Sequence, residues 1–337
     1  MPRAKPTVVR LHELTPGQHA DFFALLAERT RGATRDGKPF YTCRFRDLQR
    51  TVSFMVWADG GHFEACEGEW KVGQFFKIRG MLTEHERYGL QVDVQQLRPV
   101  VDADRAEGFE PAEFVEGSRC DADAMLAELR AEVEKHIADV PLRRLVLTIL
   151  DRHAEPLKRL PATQRHFYPF PGGLLEHTLS VTRSCIDLAE RYAARYPDLQ
   201  PPLNRDLVTA GAALHDIGRV LELTDELIEV RRTPAGGLLG HLFLAQNLVR
   251  DTARELGDVN PELLLLLEHL IISHLNHPEW GSPRLPLLPE CLILHHADDL
   301  DAKLEMYTRC LMKDRADGPF TDRDPALGKQ LFKGRTV

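Results

Sequence analysis

The chain has 337 residues, of which 43% are hydrophobic and 28% are charged, and its formal net charge is −8. This composition excludes collagen-like, low-complexity and largely disordered proteins. At about 100–200 residues per domain, the length predicts two domains that each bury their own core.

The chain shows no sign of targeting segments or of a disulfide framework. No apolar run approaches the roughly 20 residues that a membrane helix requires, and the five leucines of residues 263–267 are followed by Glu268 and His269. The first residues are basic but lack the apolar stretch of a secretory signal. Six cysteines are scattered without a CxxC pair, which favours reduced thiols. We expect a cytoplasmic protein with no membrane partner.

Charge is distributed unevenly along the chain. Residues 1–100 contain 15 Lys and Arg against 12 Asp and Glu, whereas the remaining residues contain 28 against 39. Nucleic-acid-binding proteins are usually basic, so the total charge disfavours this class, but the basic surplus is confined to one end of the chain. We interpret part of the acidic surplus as the carboxylates of a metal site.

Residues 1–100 are predicted to form a small β-barrel. Apolar and polar residues alternate there, many of them aromatic or β-branched, and Asp36-Gly37 is typical of a hairpin turn. The clearest strands cover residues 39–46, 51–57, 74–82 and 88–97. Five short strands with one short helix predict a closed barrel of the OB type, a fold that binds nucleic acids.

The residues after the barrel lack strand-like alternation. Residues 101–121 are acidic, contain Pro and Gly, and are predicted to be a linker. In residues 122–313, apolar residues recur three to four positions apart, which predicts an all-α domain. Its later helices are expected at about residues 175–196, 204–222, 238–256, 261–275 and 287–312. Residues 314–337 are predicted to be a flexible basic tail.

Six residues of the helical part are candidate metal ligands. They are His177, His215, Asp216, His241, His274 and Asp298. Apart from the adjacent pair, their spacing corresponds to about one helix and one turn each, and a helical bundle can direct such side chains to a common centre. Imidazoles and carboxylates together suit Mn²⁺, Fe²⁺, Co²⁺, Ni²⁺ or Zn²⁺, and the lack of nearby cysteines disfavours a purely structural zinc site.

Spacing alone does not distinguish a ligand from a structural histidine. The chain has 15 histidines, and a buried histidine taken alone is more often structural than a ligand. The pair His215-Asp216, however, lies in the apolar stretch AGAALHDIGRVLEL. A buried ionisable pair is unfavourable there unless it is paired or bound to a metal, so the surroundings favour a metal site.

Five segments contain the candidate ligands in chain order: LLEHTLSV, AALHDIGRV, GHLFLAQNLV, SHLNHPEWGSP and HHADDLDAKL. Together they resemble the successive motifs of the HD-domain metal-dependent phosphohydrolases. An OB-type barrel precedes them, and the segments PGGLLEHT, EWGSP and LDAK accompany them. Over about residues 17–312, this arrangement resembles the YhaM family of 3′→5′ exoribonucleases.

The resemblance implies a role for each candidate ligand. His177, His215, Asp216 and Asp298 would hold the main metal, and His241 and His274 would complete a second metal site with Asp216 as the bridge. The resemblance also implies Mn²⁺ as the cofactor, with one or two ions. Such ions activate a water and neutralise the charge on a phosphodiester.

Two positions depart from the pattern of related sequences. These tend to have His-His where this chain has His274-Leu275, which leaves the number of ions open. They often have lysine where this chain has Arg219. Arginine can still hold a phosphate in a bidentate manner, and a surface salt bridge is an equally good interpretation.

Further residues are candidates for contact with a substrate. Lys303 and Asp301 could contact phosphate or orient a ligand, with helix capping and ion pairing as the alternatives, and Trp280 could stack on a base or cover the domain surface. Aromatic and basic residues in the barrel predict binding of a single strand. The candidate contacts in the barrel are Tyr41, Arg44, Lys77, Arg79 and Tyr88. Trp57 and Phe75 are expected in the barrel core.

We therefore expect a hydrolase that removes nucleotides from the 3′ end of single-stranded RNA, with single-stranded DNA and a homo-oligomeric state left open. One alternative is an HD phosphohydrolase that acts on a free or cyclic nucleotide and has a regulatory barrel. Another is a binding protein on an inactive HD scaffold, which the intact set of four main ligands disfavours.

Overall fold

The protein is described from a computed structural model, for residues 8–85, 89–226 and 230–334. The chain divides into two compact units, of which the first ends at Glu116 and the second begins at Gly117. Among the described residues, the five strands lie in the first unit and the long helices lie in the second. A β-barrel followed by an all-α unit confirms the predicted fold class.

The first unit is a closed five-stranded barrel. Its strands are β1 (His19–Ala33), β2 (Pro39–Arg46), β3 (Thr51–Trp57), β4 (Phe75–His85) and β5 (Gly89–Pro99), with helix α1 (Phe63–Gly68) between β3 and β4. They pair in the order β1-β2-β3-β5-β4. All pairs are antiparallel except β3 with β5. This is a five-stranded barrel of the OB type.

Strand β1 closes the barrel because it has two partners. Its first half pairs with β4, and its second half pairs with β2. The register shifts between Leu26 and Glu28, close to the point where the partner of β1 changes from β4 to β2. Such a bulge bends a strand and increases its twist, which a 15-residue strand needs if it is to join both edges of a small barrel.

Alternate residues of the strands fill the barrel. In β2, the side chains of Tyr41, Cys43 and Phe45 are buried, whereas those between them are more exposed. The ring of Phe45 packs edge-on against Phe76 of β4 at a centroid distance of 5.3 Å. The period of two that the sequence shows therefore separates an apolar interior from a polar outer face.

The stretch that we expected to be a linker, residues 101–121, differs from this expectation in its first part. Two short 3₁₀ helices cover Asp102–Glu107 and Pro111–Phe114. Phe109 and Phe114 are buried in an apolar cluster with Phe23 of β1. Phe75, which we expected in the main core, packs in this second cluster, with its ring 5.0 Å from that of Phe109. Two aromatic side chains thus hold an otherwise acidic segment.

The second unit is helical, and five of its helices begin at a side-chain cap. They are α2 (Ala122–His136), α3 (Val140–Arg152), α4 (Ala154–Arg159), α5 (Gly173–Arg195), α6 (Arg205–Leu214), α7 (Arg219–Glu222), α8 (Pro234–Leu256), α9 (Pro261–Ser273) and α10 (Pro289–Lys313). Side chains of Asp121, Asp139, Asn204, Thr233 and Asn260 accept a backbone N–H from the first turn of the helix that follows. Each such cap stabilises its helix by about 1 kcal/mol.

Helix α6 lies in the centre of this unit. All its residues from Leu207 to Leu214 are buried, and several are small, which permits close packing against α5 and α9. His215 directly follows α6, and His274 directly follows α9. The rings of the two histidines meet edge-on at a centroid distance of 5.1 Å. Packing of apolar helices thus brings two polar helix ends together.

The described part of the expected flexible tail, residues 314–334, also has defined contacts. Phe320 pairs with Phe332, and Asp324 pairs with Lys329, in β-bridges. Thr321 is buried and accepts a hydrogen bond from the backbone N–H of Leu331. This segment is therefore folded back on itself.

The sequence predicts that the chain has no membrane-spanning helix and that its cysteines are reduced. Among the described residues, we find no helix that combines the length and the apolar character needed to cross a bilayer. All six cysteines are free thiols. Two of them, Cys43 and Cys66, are buried in the barrel with their Sγ atoms 3.7 Å apart.

Candidate metal centre

The six candidate ligands come from five places in the helical unit and converge. His177 lies on α5, His215 and Asp216 follow α6, His241 lies on α8, His274 follows α9, and Asp298 lies on α10. Donor atoms of His177, His215 and Asp216 lie within 4.8 Å of one another, and so do those of Asp216, His241 and His274. Asp216 belongs to both groups, as a residue that bridges two ions would.

Asp298 connects the histidines of the two groups. Its Oδ1 lies 3.1 Å from Nε2 of His177 and 3.9 Å from Nε2 of His215. Its Oδ2 lies 3.8 Å from Nε2 of His274. All three histidines therefore present the same ring nitrogen to this carboxylate.

The opposite ring nitrogen, Nδ1, is occupied in each case. Nδ1 lies 2.8 Å from Asp301 Oδ2 in His177, 2.8 Å from the Ala212 carbonyl in His215, and 2.8 Å from the Ile271 carbonyl in His274. In His241 it lies 3.5 Å from Oε2 of Glu222. In a neutral imidazole, such an acceptor favours the proton on Nδ1, which leaves the lone pair on Nε2, facing the centre of the cluster.

Several of these inward-facing atoms have no hydrogen-bond partner. Among the described residues, they include Oδ1 of Asp216 and Nε2 of both His241 and His274. Asp216 Oδ1 and His241 Nε2 lie 3.2 Å apart without forming a hydrogen bond. A buried polar atom without a partner is unfavourable by about 1–3 kcal/mol. The donor set therefore fits a divalent cation, which would satisfy all three atoms at once.

The charges of the carboxylates favour a cation. Burial opposes ionisation of Asp216, but Arg219, His241 and the other histidines hold its pKa well below the usual range. Burial likewise opposes ionisation of Asp298, but the hydrogen bond from His177 and the neighbouring imidazoles lower its pKa to about 2. Both carboxylates are therefore anionic at neutral pH.

Two histidines differ in charge when no metal is bound. Burial lowers the pKa of His274 to about 4, so that its imidazole is neutral at pH 7. Burial also disfavours a charge on His177, but its hydrogen bonds to Asp298 and Asp301 outweigh this effect and raise its pKa to about 10. A metal that takes Nε2 of His177 must therefore displace a proton.

Arg219 and Glu222 form a largely buried ion pair next to the cluster. Nη1 of Arg219 lies 2.8 Å from Glu222 Oε2, and its Nε lies 3.4 Å from Asp216 Oδ1. The sequence allowed two interpretations of Arg219, a contact with phosphate or a surface salt bridge. In the structure, Arg219 is paired with Glu222, and both side chains are largely buried. Glu222, which supports both His241 and Arg219, was not identified from the sequence, because Arg and Glu three residues apart also form ordinary surface pairs.

Helix α8 is interrupted immediately before His241. Gly240 has φ 71° and ψ 164°, which is outside the helical region and rarely adopted by other residues. The break lets His241 turn towards Asp216 while the helix continues on both sides. The sequence GGLLGHLF signals such a break through its glycines.

The cluster lies at the wall of an open cavity of about 1190 Å³. Trp280 and Lys303, both expected to contact substrate, line the same cavity. The Trp280 side chain is half exposed, and Nζ of Lys303 lies 5.9 Å from its ring centroid. Lys303 also lies 2.6 Å from Oδ2 of Asp299. The structure thus brings these two residues together with the candidate ligands.

The expectations for the barrel require two corrections. Tyr41, expected on the surface, is only 7% exposed, and Trp57, expected in the core, is 45% exposed. The pairing of Phe40 with Trp57 across β2 and β3 explains both, because it places these two side chains on the outer face and Tyr41 on the inner one. An alternating pattern alone does not state which of its two faces is buried.

The basic residues expected on the barrel surface differ in their surroundings. Arg44 is exposed and lies 3.3 Å from Glu28. Lys77 lies 2.5 Å from Glu107, and Arg79 forms two hydrogen bonds with Asp21, at 2.5 and 2.8 Å. Tyr88 lies outside the described residues. Of these side chains, Arg44 is the most accessible cation.

The outer face of β2 and β3 carries an aromatic pair that sequence analysis did not identify as surface residues. The rings of Phe40 and Trp57 lie 5.3 Å apart. Phe40 also lies over Gly32 of β1, where an added Cβ would be 2.5 Å from the ring. This face of an OB-type barrel is the one that commonly binds oligonucleotides.

In a comparison with family models, residues 174–303 match the HD domain. Residues 174–303 form an HD domain. HD domains bind divalent metals and are metal-dependent phosphohydrolases. The matched residues include all six candidate ligands.

Among solved structures, a domain of replication protein A from Methanococcus maripaludis is 15% identical, covers 28% of this chain and 96% of its own, and has a TM-score of 0.23. Pot1pC of Schizosaccharomyces pombe bound to ssDNA is 12% identical, with 30% and 91% coverage and a TM-score of 0.24. Asparaginyl-tRNA synthetase from Pyrococcus horikoshii is 16% identical, with 42% and 35% coverage and a TM-score of 0.23. At these scores, the similarities support no inference about ligand or chemistry.

Proposed function

We propose that this protein is a metal-dependent phosphodiesterase that removes nucleotides from the 3′ end of single-stranded RNA. The observation that carries the proposal is the pair of donor groups that share Asp216, with unpaired buried atoms directed at their centre. The 3′→5′ direction and the preference for RNA are supported by the resemblance to the YhaM family.

The proposed function assigns separate roles to the residues of the cluster. His177, His215, Asp216 and Asp298 would hold one divalent ion, and His241 and His274 would hold a second with Asp216. Mn²⁺ is the proposed ion on the ground of the resemblance to the YhaM family. Divalent ions at such a site supply an activated water and neutralise the charge that develops on the phosphate. Arg219 and Glu222 keep Asp216 and His241 in place.

The barrel supports a polymeric substrate. Phe40 and Trp57 offer aromatic surfaces on which bases can stack, and the exposed Arg44 on the same face can accompany the phosphates. Since both sites are part of one chain, a strand held by the barrel reaches the HD domain at a raised effective concentration.

One observation favours the alternative substrate, a free or cyclic nucleotide. Lys77 and Arg79, two of the expected strand contacts, are already paired with carboxylates. Cations that are already held in ion pairs are not available to phosphates, so this observation would suit a barrel with a regulatory or oligomerising role. In that case, substitutions at Phe40 and Trp57 would leave turnover of the substrate unchanged.

The proposal is tested with metal-stripped protein, a 5′-labelled single-stranded RNA, and added Mn²⁺, Mg²⁺ or Zn²⁺. We expect a ladder that shortens from the 3′ end only when metal is present, and none with Asp216→Ala. Asp251→Ala, at an exposed position of α8, is the matched control and should cut like the wild type. Absence of a ladder with every metal would contradict the proposal, and a panel of nucleotides would then test the alternative.

A further inference from the structure

A short loop between α4 and α5 forms one edge of the HD cavity. Residues 163–167 line this cavity together with the candidate ligands Asp216 and Asp298. Within the loop, Oγ1 of Thr163 accepts the N–H of His166 at 3.0 Å and donates to the carbonyl of Phe167 at 2.7 Å. The loop is therefore closed on itself by one side chain.

Other side chains fix the same loop from outside. Nε2 of Gln164 donates to the carbonyl of Val230 at 2.6 Å, and the guanidinium of Arg309 donates to the carbonyl of His166. The backbone N–H of Tyr168 donates to Oε2 of Glu305 at 3.0 Å. With anchors on both sides of Arg165, the backbone has little freedom at that residue.

Arg165 differs from the other cationic side chains that line the cavity. Arg219 and Arg232 both approach Glu222, at 2.8 and 3.8 Å, and Lys303 is paired with Asp299. Arg165 is exposed, and among the described residues no carboxylate lies within the 4.0 Å of an ion pair from its guanidinium. Its charge is therefore available to a ligand in the cavity.

We propose that Arg165 binds a substrate phosphate next to the one that is cut, and so selects substrates that carry a second phosphate. The inference rests on the proposed function of the HD domain, because the ligand positions define where the scissile phosphate lies. A guanidinium binds phosphate through two parallel hydrogen bonds. An arginine without a carboxylate partner need not break an ion pair first, and a fixed loop reduces the entropy lost on binding.

The experiment measures binding, so that it does not depend on cleavage. The Kd of a 5′-phosphorylated dinucleotide with a cleavage-resistant phosphorothioate linkage is determined by calorimetry for Mn²⁺-loaded full-length protein. The Kd of AMP, which has a single phosphate, is determined in parallel. The variants are Arg165→Ala, Arg165→Lys and, as a matched loss of one exposed charge on α8, Arg254→Ala.

We expect Arg165→Ala to raise the Kd of the dinucleotide about tenfold and to leave that of AMP unchanged. Arg165→Lys should recover part of the affinity, and Arg254→Ala should match the wild type. An unchanged dinucleotide Kd, an equal loss for AMP, or no dinucleotide binding by the wild type would overturn the inference. If Arg165→Ala loses affinity for the dinucleotide but not for AMP, and the wild type does not shorten RNA, the proposed function is refuted and the inference about Arg165 is not.

Discussion

Oδ2 of Asp301 lies 2.8 Å from Nδ1 of His177, on the side of the imidazole that faces away from the other candidate ligands. The second oxygen of Asp301 accepts a hydrogen bond from the hydroxyl of Ser180. The carboxylate therefore fixes both the tautomer and the orientation of His177. We therefore propose that Asp301 positions His177 in the candidate metal centre and does not itself bind the ion.

Replacement of Asp301 by asparagine should weaken metal binding. The amide is uncharged and leaves His177 a weaker ligand, and such substitutions lower metal affinity about 10- to 100-fold. Calorimetric titration of metal-stripped protein with Mn²⁺ measures this loss. Asp299→Asn, on the same helix but paired with Lys303, is the control and should bind Mn²⁺ as the wild type does. Equal affinities for Asp301→Asn and the wild type would refute the positioning role.

Gly240→Ala should disturb the site through His241. At φ 71°, alanine is strained, and we expect a loss of about 1 kcal/mol in the free energy of unfolding together with weaker binding of one ion. Gly237, three residues earlier in α8, has helical geometry and open space around a new Cβ. Gly237→Ala should therefore be neutral or slightly stabilising. Denaturant unfolding and metal stoichiometry distinguish the two variants, and similar behaviour would contradict the account.

The helical half of the chain was predictable from its sequence to a large extent. The expected helices at 204–222, 238–256 and 261–275 correspond to α6 with α7, α8 and α9, because an apolar period of 3.6 is a direct consequence of burial on one side. The convergence of the six candidate ligands could also be expected, since they lie on or directly after five different helices.

Features that depend on packing between elements were harder to predict. Tyr41 and Trp57 were assigned to the wrong faces, because strand alternation is symmetric until a partner covers one side. Glu222 was missed, because a glutamate three residues after an arginine can form either a buried pair or a surface pair. The local sequence is the same in both cases. The contacts of Phe109 and Phe114 depend on an apolar patch of the barrel that the acidic composition of their segment does not reveal.

Trp57→Ala should reduce the affinity for single-stranded RNA. Stacking of one base on an aromatic side chain contributes about 1–3 kcal/mol, and Trp57 is exposed beside Phe40. Fluorescence anisotropy with a labelled oligonucleotide measures the change, while hydrolysis of bis(p-nitrophenyl) phosphate should stay at the wild-type rate. Val72→Ala, also exposed on the barrel unit, serves as the control. Unchanged RNA affinity in Trp57→Ala would exclude this face as the binding site.

Asp104 should make the stability of the protein depend on acid pH. Two hydrogen bonds from Arg98, at 2.6 and 2.7 Å, and one from the backbone of Val101 lower its pKa from the ordinary 3.8 to about 2. A carboxyl with a depressed pKa stabilises the fold by about 2 kcal/mol above pH 4, and this contribution is lost as the pH falls towards 2. The stabilisation is therefore present at pH 7 and reduced at pH 3.

Denaturant unfolding of Asp104→Asn and the wild type at these two pH values measures the effect. The variant should be the less stable protein at pH 7, and the difference should shrink at pH 3. Asp102→Asn, at an exposed neighbouring position, should show no comparable dependence. A difference that stays constant with pH would refute the ionic origin of the stabilisation.

We propose that the cluster around Asp216 binds the metal on which hydrolysis depends. The most direct measurement titrates metal-stripped wild type and Asp216→Asn with Mn²⁺, and determines bound metal and hydrolysis of bis(p-nitrophenyl) phosphate in the same samples. We predict that hydrolysis by the wild type rises with one or two bound ions per chain, and that Asp216→Asn loses both. Hydrolysis by the metal-stripped wild type, or undiminished metal binding and hydrolysis by Asp216→Asn, would contradict the claim.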